Sequence, residues 1–472
     1  MTNPQDLIIE EKWFKADIDR REFKALMQKD DIHGLINTTL WIASLLGFGY
    51  LSWLAIPHGL LYSIPAFLLY GIFYCACDAR WHESSHHTVF KTQWMNVALN
   101  FFSTAMQQRD IIFTTWSHAR HHSYTVITEI DPEITVTRPP KFWPHFLDFF
   151  SLKECTYYFP ILIQHTLGIP SKSAKEFVPE EEFKKMFWWA RASFALNMVP
   201  VALAVVYQTW IPLLFFIGPK FYANFVQRAF VLAQHAGMDE NVWDHRANSR
   251  TIKVNPLLGF LYMNMQYHIE HHMHPLMPFH ALPKFHERVK EQMPAPYKGM
   301  GAVYKEMLPA LKEQAKDITY YIKRLVQGVL PERRVVKRKG EKTETASGSE
   351  TFIPQCDTPE HELAWHPALK ADELDVNDSM NVTINESHYA IYQLEAGNYR
   401  ATEGVCTHEF ALLADGVLQD GCISCPKHNA KYDVCSGKVL TRPGKRDLIT
   451  YPVRLENGSL MIGLPEPQTA DQ

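Results

Sequence analysis

Hydrophobic positions along this chain fall into two regimes. Thr38–Ile56 and Gly59–Cys77 are runs of 19 residues without a charge, separated only by Pro57 and His58. As helices each would span roughly 28 Å, about the hydrocarbon thickness of a bilayer. The pair predicts a tight transmembrane hairpin; the soluble alternative is two buried core helices. Ala192–Gly218 is also uncharged, with a turn signal at 208–212. Each limb of this second hairpin is short, so its helices are expected to extend past Arg191 and Lys220. Lys220 and Arg228 then require that the fourth helix soon leaves lipid or faces protein. Beyond residue 330 the texture changes. Residues 331–350 are charged, then Ser/Thr/Gly-rich, and predict a linker. From 351 onward apolar and polar residues alternate in short runs, at 381–384, 389–394, 399–405 and 448–453, which predicts a small all-β domain.

The expected organisation is therefore a helical membrane domain over 1–330, with two hairpins and a cytosolic helical cap, a linker over 331–350, and a β domain over 351–472. There is no internal repeat and no signal-peptide pattern at the N-terminus. Eleven Lys or Arg lie between the hairpins and none in the connecting turns. This places the intervening segment, both termini and the attached domain in the cytoplasm of a multi-pass inner-membrane protein. Residues 140–185, with Trp143, Tyr157, Tyr158 and Phe159, fit either an interfacial segment bordering substrate access or a plain loop.

Composition narrows the picture. Of 472 residues 46% are hydrophobic, net charge is −4, and there are 8 Cys. A nucleic-acid partner has no basic field to act through, and a disulfide scaffold has too few cysteines. The 23 His stand out, and their spacing carries the chemistry. Three clusters occur: His82-Glu-Ser-Ser-His86-His87, His118-Ala-Arg-His121-His122 and His268-Ile-Glu-His271-His272. Positions i, i+3 and i+4 share a helix face, so each box aims imidazoles in one direction, and imidazole suits iron, zinc, copper and nickel. His82 lies five residues past the second apolar run, and His235 closes the fourth helix. The boxes gather just outside lipid, whereas a metal transporter would hold ligands near the midplane.

These boxes, spaced around two hairpins over roughly residues 35–300, resemble the integral-membrane fatty acid desaturase and hydroxylase family. The resemblance implies two irons held by His82, His86, His118, His121, His122, His235, His268, His271 and His272, an O2-dependent oxidation, and a membrane-borne lipid or acyl substrate. His87, His274 and Asn264 are weaker candidates, and Asp78 and Asp131 are candidates for orienting imidazoles. Desaturation and hydroxylation both remain open.

Near the C-terminus Cys406-Thr-His408 is followed after 16 residues by Cys425-Pro-Lys-His428. Two thiolates and two imidazoles in this pattern bind zinc or a Rieske [2Fe–2S] cluster. The β context, with Gly416, Gly421 and the 432–437 turn, resembles Rieske ferredoxins. That implies Cys406 and Cys425 on one iron and His408 and His428 on the other. Ala411 and Lys427 stand where high-potential members carry an extra cysteine pair, which implies the disulfide-free ferredoxin subtype. No dinucleotide or flavin fingerprint occurs, so a separate NAD(P)H-dependent reductase is expected. The alternatives are a hydroxylase or oxidative demethylase of a small molecule, of rhizopine type, favoured if Lys220 and Arg228 present charge to a polar substrate, and a non-enzymatic metal transporter or redox sensor.

Overall fold

The computed structural model describes residues 13–324, 363–408, 411–427 and 429–465. They form two compact units, one helical within 14–324 and one all-β within 363–465. The linker expected at 331–350 lies outside the described residues.

The first hairpin is present and longer than its uncharged runs. Ile32–Ala55 is one helix, Ile56–His58 a single tight turn, and Leu60–Cys75 the return limb. Gly59 at φ 85° reverses the chain, a conformation that costs other residues a clash at Cβ. The return limb runs on through Ala76 into Cys77–Ser85. Between the limbs Trp41 donates its indole N–H to the Phe73 carbonyl at 2.8 Å. Outward, Ile36, Leu46, Trp53 and Leu61 are exposed. Such helices, apolar all round, are stable where lipid rather than water covers them.

Phe183–Val206 is a third long apolar helix and extends past Arg191 as expected. The continuous fourth helix is not found. Its stretch is broken into Ile211–Phe216, Pro219–Tyr222 and Phe225–His235. Pro219 has no N–H to continue the ladder, and the Gly218 N–H closes back on the Leu213 carbonyl at 2.7 Å. Three helical stretches, 32–58, 60–85 and 180–206, are thus long and apolar enough to cross a membrane among the described residues.

Lys220 and Arg228 face protein. The Lys220 ammonium donates to the Gln107 carbonyl at 2.6 Å and lies 3.4 Å from Glu154. Arg228 pairs with Asp148 at 2.5 Å, and Arg109 clamps the same Glu154. Burial alone would raise the Glu154 carboxyl, but Arg109 and Lys220 outweigh it and hold it at about 2. One of the two expectations for this limb, that it faces protein, therefore holds, and buried carboxylates rather than a polar substrate pair with the two cations.

Residues 140–185 are helical rather than a plain loop, with helices at Phe142–Asp148, Leu152–Thr166 and Lys172–Phe177. Trp143, Phe146, Phe159 and Leu167 are exposed along them.

The β unit contains three antiparallel sheets. The strands Asp378–Ile384, Ser387–Glu395, Asn398–Glu403 and Thr450–Tyr451 pair in that order. Ser459–Pro465 lies between Leu363–Lys370 and Val453–Glu456 in the second sheet. Four short strands, Val417–Gln419, Cys422–Ser424, Lys431–Asp433 and Val439–Thr441, make the third. The sequence runs at 381–384, 389–394 and 399–405 mark the three longer strands of the first sheet. The run at 448–453 marks only a short edge strand, because Pro452 interrupts it and supplies no N–H. Ile391, Ala401, Leu460 and Ile462 fill one core, while Tyr392, Leu413, Leu418, Ile423 and Tyr432 fill another.

Candidate functional site: an imidazole cage and a two-loop thiolate site

Helix Ile111–Ser123 shows how one box is aimed. Asp110 starts it, accepting from the Ile112 N–H at 2.8 Å and the Phe113 N–H at 3.3 Å. The second oxygen of Asp110 holds His165 at 2.8 Å. The helix start is thereby fixed from two sides, and its C-terminal half delivers His118, His121 and His122 to one place. His82 comes from Cys77–Ser85, with His86 at the residue that ends that helix. His268, His271 and His272 share helix His268–Met273, and His235 ends Phe225–His235.

All nine imidazoles expected as ligands meet. Nitrogens of His82, His86, His118, His122 and His271 lie within 4.8 Å of one another, as do those of His121, His235 and His272. His268 Nε2 closes the second group, 3.0 Å from both His235 Nε2 and His272 Nε2. In the first, His82 Nε2 is 2.7 Å from His271 Nε2, and His118 Nε2 is 3.1 Å from His86 Nε2 and 3.0 Å from His122 Nε2.

The groups behind these rings decide what the facing nitrogens carry. His235 Nδ1 lies 2.9 Å from the Asn248 carbonyl, which can only accept. His118 Nδ1 faces Glu133 at 3.0 Å and His121 Nδ1 faces Asp131 at 2.9 Å. The Thr125 hydroxyl donates to the His121 carbonyl at 2.9 Å, so toward His272 Nδ1, at 3.0 Å, it accepts. Each of these four rings therefore keeps its proton on Nδ1 and turns an Nε2 lone pair inward. Burial, reinforced by neighbouring imidazoles, pushes His122, His268, His271 and His272 well below the usual imidazole range. For His121 burial pulls down as well, but Asp131 reverses the net direction to upward. Neutral rings with converging lone pairs repel unless a cation sits among them. The donor set fits two metal ions of the imidazole-preferring class.

Other candidates separate clearly. Of the two carboxylates that were candidates for the role, Asp131 orients an imidazole. Asp78 does not: it accepts from the Trp81 indole at 2.8 Å and lies 4.0 Å from Arg109. Asn264 is in a turn, not a helix. It donates to the Phe279 carbonyl at 3.1 Å and accepts from Gln266 at 3.3 Å, which occupies both ends of its amide. His87 contacts Gln93 at 2.6 Å and His274 packs on Phe23 and Phe285; neither is in the two groups. Glu133, Thr125 and Asn248 were not singled out from sequence. Nor were Glu83, 3.5 Å from His271 Nδ1, and buried His245, whose ring centroid is 5.1 Å from that of His272.

In the β unit Cys406 and Cys425 are both buried in the same apolar cluster. A backbone hydrogen bond closes each loop: Cys406 N–H to the Ala411 carbonyl and Cys425 N–H to the Ala430 carbonyl, both 2.8 Å. Gly416 lets the chain pass close by, since a Cβ there would sit 2.0 Å from the Ser424 carbonyl oxygen. The Tyr432 hydroxyl lies 3.3 Å from Cys406 Sγ and 2.8 Å from Thr407 Oγ1. His408 is half-buried at its loop tip, and His428 lies outside the described residues. Among the described residues all cysteines are free, consistent with Ala411 and Lys427 replacing a second pair. Two buried thiols on paired loops of a small β fold suit a cluster bridging both loops.

Comparison with known proteins decides the assignment. The fatty acid desaturase family model matches residues 59–304, more than half of the chain. The chain belongs to the fatty acid desaturase family. Its C-terminal part matches the Rieske [2Fe-2S] domain over residues 364–452. There the desaturase-family chain is 39% identical over 98 residues to the ferredoxin component of the naphthalene 1,2-dioxygenase/salicylate 5-hydroxylase systems of a Ralstonia species, covering 93% of that protein and 21% of this chain. It is 45% identical over 100 residues to the ferredoxin component of the 2,4-dinitrotoluene dioxygenase system of a Burkholderia strain, covering 95% of that protein and 21% of this chain. Among solved structures, the Sphingomonas yanoikuyae B1 ferredoxin is 26% identical, covers 22% of this chain and all of that one, and superposes with a TM-score of 0.21. The protein is therefore an oxygen-dependent oxidoreductase with a di-iron centre and a Rieske [2Fe–2S] cluster that serves electron transfer.

Proposed function

We propose that the protein desaturates or hydroxylates a fatty-acyl or lipid chain drawn from the membrane in which it sits. The observation that carries this reading is the cage of nine imidazoles, one box of which continues directly from the apolar stretch Leu60–Ser85. When bound, two irons supply reduction of O2 and removal of hydrogen from an unactivated C–H bond. The chain's own residues do the rest. His82, His86, His118, His121, His122, His235, His268, His271 and His272 hold the metals. Glu133, Asp131, Thr125 and the Asn248 carbonyl keep the protons of four rings on Nδ1. The burial of eight of the nine, with His235 half-buried, limits water at the reacting atoms.

Pairing of Lys220 with Glu154 and of Arg228 with Asp148 leaves these cations engaged, which favours an apolar substrate over a charged small molecule. The exposed aromatic side chains of residues 142–167 support an interfacial position beside substrate access. In this reading residues 1–330 form the inner-membrane domain with its cage in the cytoplasm, 331–350 tether, and 351–472 carry the cluster on Cys406, Cys425, His408 and His428. The tether raises the donor's effective concentration at the cage, and a separate NAD(P)H-dependent reductase feeds the cluster.

The test is comparative mass spectrometry of a host lacking the gene, complemented with the intact gene or with His118→Ala. An acyl species that has lost two hydrogens or gained one oxygen, only with the intact gene, is expected. Unchanged lipids with a single accumulating polar metabolite would overturn the acyl assignment.

A further inference from the structure

An oxidisable ring stands at the wall of the cage, and further rings lead from it to the surface. Buried Trp81 precedes His82 in helix Cys77–Ser85. Its ring centroid lies 5.8 Å from that of His82 and 5.4 Å from that of His118. The indole N–H donates to Asp78 Oδ1 at 2.8 Å. The Arg109 guanidinium carbon touches this ring and a second one, 5.4 Å from the centroid of Trp81 and 4.3 Å from that of Tyr158. Tyr158 in turn packs against Tyr157, with centroids 4.9 Å apart. Tyr157 is exposed, and its hydroxyl donates to Ser173 Oγ at 3.1 Å.

Packing explains a ring beside the ligands, but not the polar groups set around it. A cation beside a ring opposes loss of an electron from that ring. Two features lift this obstacle. Glu154 accepts from Arg109 Nε at 2.9 Å, which compensates the guanidinium charge. Asp78 is placed to take the indole proton as an electron leaves, so that Trp81 becomes a neutral radical rather than a cation. Tyr158 is half-buried and Tyr157 exposed, so a phenolic proton has a way out to solvent.

We propose that Trp81, Tyr158 and Tyr157 form a relay that passes electrons, one at a time, from the surface into the cage when O2 is reduced there with no substrate C–H bond in reach. Trp81 gives up an electron while its proton passes to Asp78. Tyr158 refills Trp81, which recovers its proton from Asp78, and the phenolic proton of Tyr158 leaves to solvent. Tyr157 restores Tyr158 by giving an electron and a proton, and the Tyr157 phenoxyl takes a hydrogen atom from a soluble thiol. Reduction of O2 to two waters consumes four electrons and four protons. Two electrons arrive through the cluster. The two that a substrate would otherwise supply come through the relay, as two thiols couple to a disulfide. The imidazoles of the cage are thereby protected from oxidation. The relay rests on the di-iron assignment and not on the acyl substrate.

The experiment mixes the reduced, iron-loaded, full-length protein with O2 in the absence of substrate and reads frozen samples by electron paramagnetic resonance. Ring-deuterated tyrosine or tryptophan identifies the radical, and iron is counted in every sample. A tyrosyl radical is expected in the intact protein. The double variant Tyr157→Phe/Tyr158→Phe should hold a tryptophan radical instead. Trp81→Phe should lose the tyrosyl radical, and peptide mapping should find oxidised cage histidines. Because Trp81 abuts two ligands, its variant is read only at full iron content; the double variant alters no ring in contact with a ligand and decides alone where Trp81→Phe loses iron. No radical in the intact protein, no tryptophan radical in the double variant, or an undiminished tyrosyl radical in iron-replete Trp81→Phe would each overturn the proposal.

Discussion

The two iron sites are built on opposite plans. The cage draws nine side chains from positions 82 to 272, on helices whose relative placement only the folded helical unit defines. The thiolate site draws on two loops less than 25 residues apart, each closed by its own backbone hydrogen bond. The first is a product of packing, the second of local chain geometry. Damage to distant contacts should therefore reach the cage and spare the cluster, and damage to a loop should do the reverse.

The largest effects should come from ligand removal, which separates the two sites. His118→Ala is expected to lose the cage's iron and all acyl oxidation while the cluster's visible spectrum persists. Cys406→Ser should abolish the cluster and reductase-driven turnover but leave cage iron in place, as counted by metal analysis. Loss of both metals in either variant would break the comparison. Next come the groups behind the ligands. Asp131→Asn or Glu133→Gln should weaken iron binding by roughly 10–100-fold, read by competition with a chelator.

A structural test sits between these. Lys220→Met leaves Glu154 with Arg109 as its remaining cation. Because Arg109 still compensates Glu154, the cost should fall below the roughly 3–5 kcal/mol of an uncompensated buried charge, to be read as a modestly lowered Tm of the detergent-solubilised protein. The cluster's spectrum should be unaffected below that temperature. The smallest effect belongs to Tyr432→Phe. A cluster-bound Cys406 carries no proton, so across their 3.3 Å contact the Tyr432 hydroxyl would be the donor, and removing one such hydrogen bond, worth about 1 kcal/mol, should lower the cluster potential by some tens of millivolts. Redox titration measures that shift, and cage iron should not change.

The same contrast explains what the sequence reveals. His118, His121 and His122 announce themselves because helical spacing makes one face of them. The hairpin at 32–75 is visible because uncharged runs of that length have few other uses. Cys406, His408 and Cys425 are legible because their ligand spacing is local. What stayed hidden is tertiary. Glu133 and Asn248 behave as ordinary polar residues until the fold sets them against His118 and His235. The partner of Lys220 lies 66 positions away at Glu154, so a cation that looks available for substrate is in fact paired. Pro219 carries the signal that breaks the fourth limb, yet only the structure shows that the break turns Lys220 inward.

The most direct test of the central claim is Mössbauer spectroscopy of the full-length protein grown on 57Fe, beside the His118→Ala variant. Two sets of signals of similar total intensity are predicted in the intact protein, one from the two unlike irons of the Rieske cluster and one from irons ligated by the cage imidazoles, with the second set lost in the variant. Iron confined to the cluster in the intact protein would contradict it.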